Sequence, residues 1–256
     1  MGANLVFTSN PFSGLTDVFS PLVMQTYIVL MVVAVAAGTL VDLLHKSSAK
    51  FFALQMTRTK AAAKRPLSGA QTTTIVVRTI AEAAVSGEFC RWTRRVSHVL
   101  TMYGFLLNVS VTVVLVFVYP TAMQTPAILP VLWDLGALMV LIGGSWFFFF
   151  LRANVAHDGC SPFHLGRADL FIGSLLGSAA FGLLWHFAQT TIRNPVATLA
   201  IFALYILFST LLFVSVPWSK FAHMFYKPAV AFQKKIEEAN GSSDLPTTGA
   251  IRSRGR

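Results

Sequence analysis

The chain has 256 residues, of which 55% are apolar and only 12% charged, and its mean hydropathy is +0.65. A soluble domain of this length carries about twice that share of charge, so a water-soluble globular fold is excluded. The net charge of +10 does not argue for nucleic acid, because the basic residues lie between hydrocarbon-like runs and not on a folded polar surface. Cys90 and Cys160 fit no multi-cysteine metal pattern, which leaves any iron–sulfur or zinc centre to a partner.

Residues 1–20 lack the basic start and apolar core of a cleavable signal, so the first apolar run is expected to remain as a span. A bilayer core about 30 Å thick needs roughly 20 apolar helical residues. Five segments reach that length, at about 22–44, 99–119, 132–151, 170–190 and 196–216. The expected fold is all-α, a bundle of five transmembrane helices. Pro120, Pro126 and Pro130 separate the second span from the third, and Pro195 separates the fourth from the fifth. Counting Lys and Arg near the span ends places 19 of the 20 on one side and leaves Arg193 alone on the other. The positive-inside rule then predicts an outward amino terminus and a cytoplasmic carboxyl terminus in the inner membrane. The basic loop 46–97 reads as surface-lying or partner-contacting, with an amphipathic helix predicted over 74–89. The membrane domain is expected to end near 235, with 236–256 a disordered basic tail.

Topology sorts the six histidines. His45, His98, His157, His164 and His223 fall at or beyond cytoplasmic span ends, and His186 lies near the outer end of the fourth span. A membrane haem b needs two imidazoles from different helices at one depth. His98 and His223 meet that requirement at the inner boundary, where Arg91, Arg95 and Lys220 are candidate partners for haem propionates; spacing alone equally allows histidines that snorkel or pack. His186 is either an interfacial residue beside the aromatic belt or a quinone-facing one. Asp134, one turn inside the third span, either takes a quinol proton or reaches interfacial water. His157-Asp-Gly-Cys160-Ser-Pro-Phe-His164 reads as a loop, His45 as a snorkelling helix end, and Trp146 to Phe150 as a packed or lipid-facing anchor. Gly173 and Gly177 form a small-residue step suited to helix packing. No activated nucleophile, paired catalytic carboxylates or nucleotide-binding loop is present, which argues against a stand-alone enzyme.

Two motifs carry a resemblance. One is Arg91-Trp-Thr-Arg-Arg-Val-Ser-His98-Val-Leu-Thr-Met-Tyr103-Gly104-Phe105, and the other is Pro217-Trp-Ser-Lys220-Phe-Ala-His223-Met-Phe-Tyr226-Lys-Pro228. Together, over residues 20–235, they resemble the membrane cytochrome b family that includes nitrate reductase gamma subunits and the membrane subunits of heterodisulfide-reductase-like and sulfur-metabolising complexes. Glu88-Phe-Cys90-Arg91 and the short length are most similar to the quinone-interacting members and adenylylsulfate reductase anchors of sulfur metabolism. The resemblance implies one haem b on the cytoplasmic side with His98 and His223 as axial ligands. It also implies quinone as substrate and a cytoplasmic flavin and iron–sulfur partner of the adenylylsulfate reductase kind. The family's second-haem ligand positions fall on Asn108 and Tyr205, which are unsuited to a bis-imidazole site. The competing expectations are a haem-free anchor that only recruits a soluble oxidoreductase, and a transporter.

Overall fold

Inside a bilayer no water is present to bond the backbone, so each spanning segment must satisfy its peptide groups within its own helix. The computed structural model describes residues 8–45, 48–87, 91–121, 125–151, 169–192, 194–215 and 223–243. Among these residues every regular element is helical: α1 (Pro21–His45), α2 (Ser48–Ala61), α3 (Gly69–Ala84), α4 (Trp92–Phe117), α5 (Ile128–Trp146), α6 (Leu170–Thr191), α7 (Pro195–Ser215) and α8 (His223–Asn240). A 3₁₀ turn at Ser13–Leu15 precedes α1, and a π-helical turn at Phe147–Leu151 prolongs α5. Five helices are long and apolar enough to cross a membrane: α1 through Pro21–Val41, α4, α5 with its π turn, α6 and α7. The protein is therefore a multi-pass α-helical membrane protein. Its second span starts at Trp92, ahead of the expected 99, because Arg94 and Arg95 are good helix formers and no breaker intervenes. His98 thus sits in the second turn of α4 and not at its start.

The chain forms two units, one comprising Met1–Gly38 and Phe89–Lys220, the other Thr39–Glu88 and Phe221–Arg256. Helix α8 runs past 235 to Asn240, with Ile236 and Asn240 buried; the tail beyond 243 lies outside the described residues.

In the first unit the helices alternate in direction. A Cβ added at Gly104 of α4 would come within 2.7–2.9 Å of Met139, Gly136 and Val140 of α5, and one at Gly136 within 2.8–3.0 Å of Asn108 and Gly104. At the other end Ser97 Oγ donates to the Gly143 carbonyl (2.7 Å). Backbone rests on backbone along this pair. Gly144 meets Leu176 of α6, Ser178 of α6 hydrogen-bonds Ser209 of α7 (2.8 Å), and Phe181 stacks on Phe208 (5.3 Å). Of the Gly173–Gly177 step only Gly177 packs against a helix, at Phe208, whereas Gly173 faces open space. On α1, Gln25 Nε2 donates to Val116 O (3.2 Å), and the Tyr27 hydroxyl pairs with Thr210 (3.0 Å). Ser97, Ser174 and Ser209 are buried while Leu138, Ile142 and Leu207 are exposed, the distribution expected where the surroundings are lipid.

The second unit is held by polar bonds. Lys235 Nζ donates to Glu82 Oε2 (2.6 Å) and Arg78 Nε to Glu82 Oε1 (2.9 Å); Thr59 Oγ1 donates to Glu237 Oε1 (2.9 Å). Ser68 and Gln71 close a capping box on α3. Gly241, at φ +76°, ends α8 in the left-handed conformation that glycine adopts without strain, and the backbone N–H groups of Lys64 and Arg65 donate to Asn240 O.

Two outcomes follow from this packing. Gly136→Leu should cost about 1–3 kcal/mol or more through overpacking, read as a lower melting temperature in detergent. Gly173→Ala, with open space and better helix propensity, should be neutral or slightly stabilising. The hydrogen bond from Lys235, and then that from Arg78, hold the Glu82 carboxyl below its ordinary range. A carboxyl depressed by folding contributes stability that is present at neutral pH and lost as pH falls through its folded-state pKa. Spin labels on α3 and α8 should accordingly report a broader distance distribution on acidification, and Glu82→Gln should remove that pH dependence.

Candidate functional site

Two side chains weighed separately in the sequence meet in the first unit. Asp134 lies in the second turn of α5 and His186 in the penultimate turn of α6. Because these helices run antiparallel, the two residues reach the same level. His186 Nδ1 lies 2.9 Å from Asp134 Oδ1; the His186 side chain is fully buried and that of Asp134 is 14% exposed. His186 is buried, with Trp133 edge-on to its ring. Asp134 likewise finds a protein partner.

The surroundings are aromatic on one side and hydroxylic beyond. Trp133 and Trp185 cross edge to face (6.4 Å), Trp133 meets the His186 ring (6.0 Å), and Tyr205 stacks on Trp185 (5.7 Å). Trp133 Nε1 donates to Thr112 Oγ1 (2.8 Å), and Asn108 Nδ2 donates to the Trp133 carbonyl (3.0 Å). On the neighbouring helices Ser178 and Ser209 form a separate hydroxyl pair. Within this well-paired interior, Asp134 Oδ2 and Trp185 Nε1 are buried with no hydrogen-bond partner among the described residues. Buried polar groups are nearly always paired, so these two atoms mark where a polar ligand would be held.

The amino-terminal segment covers the cluster, a contribution the sequence reading missed. Asn10, Phe12, Ser13 and Leu15 are buried; Phe12 lies against Trp133 (5.8 Å) and Trp185 (5.4 Å). Gln189 Nε2 donates to Pro11 O (2.9 Å), and Asn10 Nδ2 to Tyr119 O (2.8 Å). The available signal was Asn10-Pro-Phe-Ser-Gly14, a turn sequence carrying one aromatic residue.

At the opposite end, Arg91 precedes α4 and is exposed, Arg95 is half-buried in its first turn, and His98 is half-buried. Two turns on, Phe105 meets Phe213 of α7 (6.4 Å). His223 opens α8 in the second unit. Its side chain, like Lys220, His157, His164 and both cysteines, lies outside the described residues, as does the His45 side chain.

Fold and site together define a polytopic helical membrane protein with a buried carboxylate–imidazole pair beneath an aromatic layer. No protein-family model, curated protein or solved structure matches the chain.

Phe12→Ala should lower stability by about 3 kcal/mol or more by opening the aromatic cluster, seen as a lower melting temperature and stronger acrylamide quenching of tryptophan. Asp134→Leu should cost about 1–3 kcal/mol by stranding the His186 imidazole. Asp134→Asn keeps a hydrogen-bonding partner and should recover most of that loss.

Proposed function

We propose that the chain is the haem-bearing membrane subunit of an oxidoreductase complex in the cytoplasmic membrane. It exchanges reducing equivalents between quinone and a cytoplasmic flavin and iron–sulfur enzyme of the adenylylsulfate reductase kind. The observation that carries the proposal is the alternation of α4, α5, α6 and α7. It supports a common end for the first two turns of α4, which hold His98, and the end of α7, from which seven residues lead to His223. Two imidazoles are the donor set of a b-type haem. Arg91, Arg95 and His98 recur at i, i+4 and i+7, one helical face, which suits two cations beside propionates and an imidazole toward iron. Lys220 would add a third cation. When bound, the haem supplies one-electron chemistry that amino-acid side chains lack.

At the other end, the Asp134–His186 pair would receive one of the two protons a quinol gives up on oxidation to quinone. Asp134 Oδ2 and Trp185 Nε1 offer an acceptor for a quinol hydroxyl and a donor for a quinone oxygen. Phe12 and the tryptophans exclude water and offer flat rings to a flat substrate. Packing at Asn108 and Tyr205 supports a single haem. Asn108 is engaged with the Trp133 carbonyl, Trp133 and Trp185 close on Tyr205, and the α4 and α5 backbones touch at Gly104 and Gly136.

The purified protein should show a sharp b-type α band in its dithionite-reduced minus oxidised spectrum, with one haem iron per chain. His98→Ala and His223→Ala should each abolish the band. Asp134→Asn should retain it while slowing quinol oxidation at least tenfold, the lower range for a general-base contribution. Absence of any haem band would leave a haem-free anchor that recruits a soluble oxidoreductase.

A further inference from the structure

Helix α3 is turned the wrong way round for a soluble domain. Thr72, Ile75, Thr79 and Glu82 are buried or half-buried, and Glu82 is tied to α8 through Lys235. The opposite arc, Thr73, Val76, Val77, Ile80 and Ala84, carries no charge, and its large members are exposed: Val77 by 61% and Ile80 by 62%, with Val85 just beyond at 49%. Amphipathic helices of water-soluble proteins place the apolar stripe inward, so a continuous exposed stripe calls for an apolar cover.

We propose that the cover is the bilayer itself: α3 lies in the lipid interface, its valine and isoleucine face entering the acyl boundary and the cations of its unit meeting anionic phospholipid headgroups. Charge points that way, because residues 48–87 hold six Lys and Arg against Glu82 alone, the pattern of a helix that binds anionic membrane surfaces. Connectivity does so too. The segment leaves one bilayer-length helix, α1, and enters another, α4, at Trp92, which is 73% exposed and of the type that lines membrane interfaces. Only seven residues lie between Ala84 and Trp92, so α3 is tethered by a short link to a helix of membrane-spanning length. A protein partner fits less well. Interface hot spots favour Trp, Tyr and Arg, whereas this arc offers only small and aliphatic side chains.

The test uses the full chain in nanodiscs, with Cys90 and Cys160 replaced by serine and an environment-sensitive fluorophore on Val77→Cys. With phosphatidylglycerol present, doxyl-labelled lipid should quench the probe several-fold more than it quenches the same probe on Glu238→Cys, and iodide should be excluded. Adding Ile80→Glu should abolish most of the lipid quenching, while the distance between spin labels on α3 and α8 stays unchanged as evidence that the unit is folded. Replacing phosphatidylglycerol by phosphatidylcholine should move the probe toward water. Iodide access equal to that of free dye would overturn the proposal. Exclusion of iodide without lipid quenching would do the same, by assigning the stripe to a protein contact, and quenching indifferent to lipid charge would refute the headgroup contact. None of these readouts depends on haem.

Discussion

The first unit rests on the contact between α4 and α5. In lipid an apolar side chain gains little by turning inward, so helices associate through close packing and polar bonds and not through escape from water. Gly104 and Gly136 allow the two backbones to touch, and Ser97 bonds the α5 carbonyl at Gly143. A methyl group at either glycine would force the helices apart along their length. Because α5 also meets α6, this contact sets where Trp133 and Asp134 stand relative to everything else.

From that contact the polar interior follows. With α5 held close, the Trp133 indole reaches Thr112 and its carbonyl receives Asn108; the next residue, Asp134, is delivered to His186 on α6. On α7, Ser209 meets Ser178 of α6, a hydroxyl pair in surroundings that offer no water, the condition under which polar side chains are tolerated there. The amino-terminal turn closes the end with Phe12 and is pinned by Asn10 and Gln189.

Long apolar runs made the five spans readable, since hydropathy over some 20 residues is a local property of the chain. Boundaries were less so. Nothing in Trp92 to Ser97 opposes helix, and α4 therefore begins ahead of its apolar stretch; Glu237 and Asn240 bond to Thr59 and the Lys64–Arg65 backbone, contacts that extend α8 and that no local pattern announces. An amphipathic helix was expected over 74–89, and the helix that forms runs from Gly69 to Ala84, because the Ser68–Gln71 capping box sets its start. Asp134 and His186 each stood out as an ionisable group in a span, but their pairing joins positions 52 residues apart and depends on the register of two antiparallel helices. The glycine step on α6 shows the same limit: spacing marked Gly173 and Gly177 alike, and only the neighbouring Phe208 distinguishes them. His98 and His223 belong to separate units, so their joint reading rests on motif and connectivity.

The buried pair also bears on why a polar interior persists at all. An acidic residue within a spanning helix is costly unless it is partnered, and pairing with His186 offsets part of that cost. Replacing a buried ion pair by apolar side chains of similar volume is often neutral or stabilising, so stability alone gives little reason for a carboxylate and an imidazole at this place. Asp134 Oδ2 adds to the cost by facing no donor among the described residues, and Trp185 Nε1 by facing no acceptor. The arrangement that carries these penalties lies beneath a well-packed aromatic cover, and the proposed proton exchange with quinol would give it a use. The same logic applied at the surface gives α3 its role: an exposed aliphatic stripe is costly in water and costs nothing against lipid, so each misplaced group is accounted for by what it faces.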